Sequence, residues 1–425
     1  MTGPLATADA GSLAMHAWAA ATAAVVAAGC GLVGTLLVVR RMSLLGDAIS
    51  HAVLPGIVIA ALAGGRPGGP LVFAGALLAA LATVWLTQVL RARGGLAEDA
   101  GAGVVFTTMF ALGVAVVTAW GRGADLDAGC ILAGDLTFVP FDTVAIAGRA
   151  VPRAFVTGGL VLALLGAACL ATWKLQVFTA FDSDAARAAG IPVAAVTGGL
   201  LAATALATVA SFQAVGAILV VALLVVPAAA AELLARRLHH VALLAMALAV
   251  AGAVLGYLAA WRWSVNEAGA IAVVLGLEYV AAAFLAPHDG LLARAVAALR
   301  YGWRVACEDV LAALWRAEEI GRPPREPATL RGRLARRWLW IAGRVTRDGD
   351  RWRLADRGRR AAETVVRSHR LWEAWLGRNV ELPTDHLHPP AEWVEHHLGV
   401  AVRRRIEAEL GRGSDPHGSD IPPEA

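Results

Sequence analysis

The chain has 425 residues, 58% of them hydrophobic, with 45 glycines and a formal net charge of +4, and its mean hydropathy is +0.62. That is too apolar and too rich in small residues for an ordinary soluble protein, so a membrane protein is indicated. Residues 1 to 285 hold 13 basic and 13 acidic side chains, whereas residues 286 to 425 hold 24 and 20. Two regions with different solvents follow.

Residues 1–14 form an N-terminal tail without the basic start and small-residue cleavage site of a signal peptide, so the first apolar run reads as a retained span. About nine apolar runs lie near 18–39, 42–63, 70–90, 100–120, 154–173, 193–212, 214–231, 238–260 and 267–285. Each is long enough, as a helix, to cross a hydrocarbon core ~30 Å thick. A tight turn is expected between the sixth and seventh, around Ser211 and Gln213. If the charged tail is cytoplasmic, Arg40, Arg41, Arg91, Arg93, Lys174, Arg187, Arg236 and Arg237 lie inside and Arg66, Arg122, Arg149, Arg153 and Arg262 outside. The bias is modest and has the sign of the positive-inside rule.

Cys30, Cys130, Cys169 and Cys307 show no CxxC spacing, which points to neither a disulfide framework nor a thiolate zinc site. Small residues, as in GGLLAATALATVAS (198–211), let helices approach closely. The outer connection 121–152 carries Asp125, Asp127, Asp135 and Asp142, read as solvated loop acids.

The second span, RMSLLGDAISHAVLPGIVIA (41–60), is unusual. At 3.6 residues per turn Ser43, Asp47, Ser50, His51 and Leu54 share one face, the first four making a polar stripe. An ionised Asp at the bilayer centre costs roughly 2.5–3.5 kcal/mol on insertion scales, and such residues usually face a pore, an ion path or a partner. Pro55 lacks the N–H that would bond the His51 carbonyl, which frees an oxygen on the same turn. Carboxylate, imidazole and carbonyl together suit zinc, manganese or iron(II). A purely structural Asp–His hydrogen bond, with Gly46 and Pro55 shaping a short helix, explains the spacing equally well.

The stretch MSLLGDAISHAVLPGIVIA strongly resembles the second-helix signature of the permeases of metal-uptake ABC transporters for manganese, zinc and iron. FDSDAARAAGIPV (181–193) is similar to that family's cytoplasmic coupling segment, and VGAILVVALLVVPAAAAELL (215–234) to its late-span pattern. The resemblance covers roughly residues 15–285. It implies that Asp47 and His51 line the path and contact the ion, and that ATPase coupling involves Phe181, Asp182, Ala185 and Gly190. Asp182 is cap-like and Gly190 a terminator. The chain binds no nucleotide itself, since a P-loop needs GxxxxGK[ST] and Lys174 is its only lysine. Glu278, in LGLEYVAAAF, reads as snorkelling or paired, with an ion way-station as the other reading.

After a linker at 286–300, residues 301–366 read as a degenerate winged-helix-like segment, in which TRDGDRWRLADRG (346–358) is a hairpin around an Asp-Gly turn. Residues 367–412 read as a helical metal-binding and dimerisation-like segment, and 413–425 as a disordered tail. Glu392, Glu395 and His396 share a helical face by their spacing, as do His369 and Glu373. Carboxylates and histidines without cysteine suit manganese or iron(II), although surface side chains on amphipathic helices give the same pattern.

These segments resemble the metal-binding and dimerisation region of the diphtheria-toxin-repressor family of iron- and manganese-dependent regulators. By position the resemblance implicates His369, Glu373, His388, Glu392, Glu395 and His396, with Asp309 from the first helix, while Ala312 replaces an acid of the manganese branch. Three prolines in GRPPREPATLRGRLARRWLWIAG (321–343) fall where the first helix of a helix-turn-helix belongs. The arginines can meet phosphates nonspecifically, and sequence-specific DNA recognition is not expected.

The whole is read as an all-α polytopic membrane protein with a small cytoplasmic α+β winged-helix-like and metal-binding domain. Its expected function is a bacterial plasma-membrane permease importing a divalent transition metal, with that metal as substrate and tail ligand. Expected partners are ATP-binding cassette ATPase subunits, an extracytoplasmic metal-binding protein and a second permease subunit. The rival readings are a membrane-anchored metal-dependent regulator and an ATP-independent secondary metal transporter.

Overall fold

The computed structural model describes residues 10–65, 69–94, 98–120, 136–287, 290–349, 351–380, 394, 396–410, 415–417 and 419–422. They divide into two compact units, Met1–Ala293 and Arg294–Ala425.

In the first unit, nine spans among the described residues are long and apolar enough to cross a membrane. Helix α1 (Ala10–Val39) starts earlier than its apolar run, since His16 stacks on Trp261 and its Nδ1 lies 2.8 Å from the Tyr257 hydroxyl. The second span is two helices, α2 (Ser43–Ala52) and α3 (Leu54–Leu62), broken at Val53 with Pro55 in the first turn of α3. Helices α4 (Pro70–Gly94) and α5 (Glu98–Trp120) follow. A short 3-10 turn (Leu136–Phe141) and the antiparallel hairpin of β1 (Thr143–Ile146) and β2 (Arg149–Pro152) lead into α6 (Arg153–Phe181). Asp142 of the outer connection lies 3.3 Å from Arg153 and is therefore paired, whereas Asp125, Asp127 and Asp135 lie outside the described residues. Then come the short α7 (Ser183–Ala188), α8 (Val193–Leu234), α9 (Leu238–Trp263) and α10 (Glu267–Leu285).

The break between the sixth and seventh spans is not at Ser211. The buried Ser211 hydroxyl donates to the Ala207 carbonyl at 2.6 Å, so it is satisfied within its own helix. The helix is interrupted instead at Gly216, whose φ of 76° and ψ of 165° glycine reaches without a Cβ clash. Both halves of α8 then flank α1. Leu32, Val33 and Leu36 share a cleft with Leu200 and Ala203 of the first half, and Gly34 abuts Leu224 of the second. A Cβ on Gly34 would lie 1.9 Å from the Leu224 carbonyl oxygen, and Gly56 and Gly75 permit a similar approach of α3 and α4. In lipid, where apolar burial gives helices no drive to associate, such close backbone contact supplies the van der Waals attraction.

The second unit begins within α11 (Leu291–Ile320), so the expected linker at 286–300 is helical from Leu291, in keeping with the helix-forming run LLARAVAALR. Residues 322–327 are non-helical and hold Pro323, Pro324 and Pro327. Helix α12 (Leu330–Ile341), capped by Thr329, precedes the hairpin of β3 (Val345–Asp348) and β4 (Arg351–Leu354). Leu311, Leu314, Leu339, Val345 and Leu354 form its core. Helices α13 (Asp356–Asn379) and α14 (Val400–Leu410) complete it, and α13 runs through the boundary expected at 366. In the expected disordered tail, Arg370 bonds the Asp420 carbonyl at 2.6 Å, Arg367 bonds that of Pro422, and Asp415 is buried.

Gly29, on the same helix as Gly34, has no atom within 4 Å of a Cβ. Gly34→Val is therefore expected to cost about 1–3 kcal/mol of stability through overpacking, and Gly29→Ala little. Thermal midpoints and monodisperse yield in detergent check the pair.

Candidate functional site

Helix α2 sets Asp47 and His51 one turn apart, with Oδ1 and Nε2 separated by 3.5 Å. The carboxylate is 50% and the imidazole 29% exposed, so the pair lies on an open flank of the unit. The polar stripe is narrower than the sequence indicates. Ser50 is buried and donates to the Asp47 carbonyl at 2.8 Å, and Leu54 is fully buried against Gly113. Phe106 and Phe110 of α5 stand 5.7 and 6.2 Å from the imidazole and give it one apolar wall. Sequence reasoning missed both, because a phenylalanine in an apolar helix carries no signal of its own.

One carboxylate and one imidazole cannot fill the four to six positions a divalent transition metal takes. Among the described residues no group of three or more His, Cys, Asp or Glu side chains is arranged to hold an ion. The second span therefore presents an incomplete donor set. Glu278 does not complete it. One of its carboxylate oxygens is buried beside Gly252 without a hydrogen-bond partner among the described residues.

Asp182 caps α7, accepting the Ala185 N–H at 2.8 Å. Gly190 closes the turn with φ +80°. Only Ala186 of α7 is buried, while Phe181 is 71% exposed. The segment is a small capped knob with an exposed aromatic side chain at its edge.

In the second unit the structure joins the expected residues in pairs. His369 and Glu373 are buried on α13, with Nε2 and Oε1 3.2 Å apart, and the His417 Nε2 lies 4.0 Å from the same oxygen. The His396 Nε2 lies 3.2 Å from Asp309, and both side chains line a cleft of about 700 Å³ beside Ala312. The opposite ring nitrogen meets Glu308 at 2.6 Å. Burial pushes the neighbouring Cys307 thiol up, with Arg344 opposing and Glu308 adding, so no thiolate is offered there. His388, Glu392 and Glu395 lie outside the described residues. Glu308 and His417 were missed: nothing in the sequence separates Glu308 from other surface acids of an amphipathic helix, and His417 lies within the segment, 413–425, read as disordered.

Residues 12–286 match the profile of the ABC 3 transport family, and residues 355–423 that of the iron dependent repressor metal binding and dimerisation domain. The manganese transport system membrane protein MntD of Bacillus subtilis is 40% identical over 66% of this chain and 96% of its own. The zinc transport system membrane protein TroD of Treponema pallidum is 33% identical over 64% of this chain and 74% of its own. Among solved structures, PsaBC of Streptococcus pneumoniae, in complex with a Fab, superposes with a TM-score of 0.54 at 27% identity, covering 64% of this chain and 92% of that one.

The buried contact on α13 yields a prediction. Glu373→Ala leaves the His369 imidazole without its carboxylate in a closed site, and unfolding of the second unit is expected to become easier by roughly 1–3 kcal/mol. Denaturant titration followed by tryptophan fluorescence checks it, with the exposed Arg360→Ala on the same helix as control.

Proposed function

The chain belongs to the ABC 3 transport family, and on that premise we propose that it is the permease subunit of an ATP-driven importer of a divalent transition metal, manganese, zinc or iron, in the bacterial plasma membrane. The Asp47–His51 pair carries this reading: an oxygen and a nitrogen donor, half exposed on an interrupted membrane helix. Lipid is a poor neighbour for that face. A second permease subunit covers it, and the two pairs, with the His51 carbonyl freed by Pro55, complete a coordination sphere that one chain leaves open. An extracytoplasmic binding protein delivers the ion. Partner ATPases dock at Phe181, Asp182, Ala185 and Gly190 and switch the access side.

The repressor-like unit is cytoplasmic in this reading and senses imported metal. Its ligands come from Asp309, His369, Glu373, His388, Glu392, Glu395 and His396. The 286–300 segment connects permease and sensor, with 301–366 as its winged part and 367–412 as its metal-binding part. Metal at these side chains replaces the His369–Glu373 and Asp309–His396 contacts, so loading changes the packing of α11 and α13. Glu392→Ala/His396→Ala is expected to abolish any dependence of uptake on internal metal; the same response in variant and wild type removes the sensing role.

Radiometal uptake into vesicles tests the permease role directly. The complex with ATPase subunits is expected to accumulate metal only with ATP. Asp47→Ala and His51→Ala are each expected to lower the rate by about tenfold or more, equivalent to ~1.4 kcal/mol. Uptake by the chain alone without ATP selects a secondary transporter instead.

A further inference from the structure

Arg40 is the first residue after α1, and its guanidinium binds the two helices that bracket the short knob α7. Its Nη2 donates to the Gln176 side chain at 2.7 Å, the Thr179 hydroxyl at 2.6 Å and the Gln176 carbonyl at 3.2 Å. Its Nη1 donates to the Thr197 hydroxyl at 3.2 Å. Gln176 and Thr179 lie in the last turns of α6, which ends at Phe181, and Thr197 in the first turns of α8. Both α6 acceptors are buried. All four contacts therefore hold the base of residues 182–190.

The other end of this arrangement is the second span. Two residues separate Arg40 from Ser43, where α2 begins. They are tied down: Arg41 turns through a φ of 59°, its N–H bonds the Val38 carbonyl, and Met42 is buried with its N–H on the Leu37 carbonyl. This connection is short and hydrogen-bonded, so the Arg40 backbone is linked closely to the first turn of α2, with Asp47 one turn further on.

The acceptors are all neutral, and the Nε is buried without an acceptor among the described residues. A carboxylate partner would lock the cation in place. Among the described residues the cation is thus held by neutral hydrogen-bond acceptors alone.

We propose that Arg40 is the positioning residue that transmits movement of the 182–190 knob to the Asp47–His51 pair, a role that rests on reading the chain as an ATPase-driven permease. A mere structural staple would affect folding and all activities together. A transmission residue alters how much transport each ATP supports.

The test uses the full complex in proteoliposomes, with manganese imported per ATP hydrolysed as the readout. Arg40→Gln is expected to retain ATP hydrolysis while the ratio falls by about tenfold, a usual size for coupling between sites. Gln176→Leu/Thr179→Val keeps the cation and removes its two side-chain acceptors on α6; it is expected to lower the same ratio, and it decides the matter if Arg40→Gln does not fold. A spin label at Leu44→Cys, on the exposed flank of α2, is expected to respond to nucleotide in the wild-type background and not with Arg40→Gln. An unchanged ratio in both variants, or an intact spin-label response, overturns the proposal. Wild-type uptake that ignores ATP overturns the permease reading and this role with it, and is distinguished by needing no variant.

Discussion

A charged carboxylate inside a membrane helix has to be met by something other than lipid. Asp47 meets a side chain of matching chemistry in His51 at 3.5 Å, and half its surface remains open. The break at Val53 and Pro55, the aromatic wall of α5 and the close glycine packing around α1 all serve to present that face at fixed geometry. A helix packed through small residues needs no polar group to hold it, which leaves this face free for the ion and the second subunit proposed above.

The spans were legible because length and apolarity suffice to identify a membrane helix, and the α2 stripe because acids are so scarce in such helices. The turn between the sixth and seventh spans was misplaced for a physical reason. Ser211 looks like a loop residue, yet a serine hydroxyl bonds back to its own helix, and the decisive conformation belongs to Gly216. Ser50 misled in the same way, since its hydroxyl is also spent on its own backbone. Phe106 and Arg40 could not be read at all, because their partners are tens to more than a hundred residues away in sequence.

The second unit shows the converse. The His369–Glu373 pair was legible from helical spacing, whereas family resemblance singled out Asp309 and His396 without pairing them. The contacts of Asp420 and Pro422 were not legible, since they depend on Arg367 and Arg370, some fifty residues earlier, reaching their backbone carbonyls. Both His396 nitrogens already face carboxylates, so the proposed metal entry there would exchange existing contacts for coordination bonds, a route by which an ion couples to packing.

The central claim is that Asp47 and His51 coordinate the transported ion. Electron spin echo envelope modulation of manganese(II) bound to the assembled complex, with the tail histidines replaced by Gln, measures directly whether an imidazole nitrogen is bonded to the ion. The account predicts a nitrogen coupling that disappears on adding His51→Gln. A manganese signal with no nitrogen coupling, or a coupling that survives His51→Gln, would contradict it.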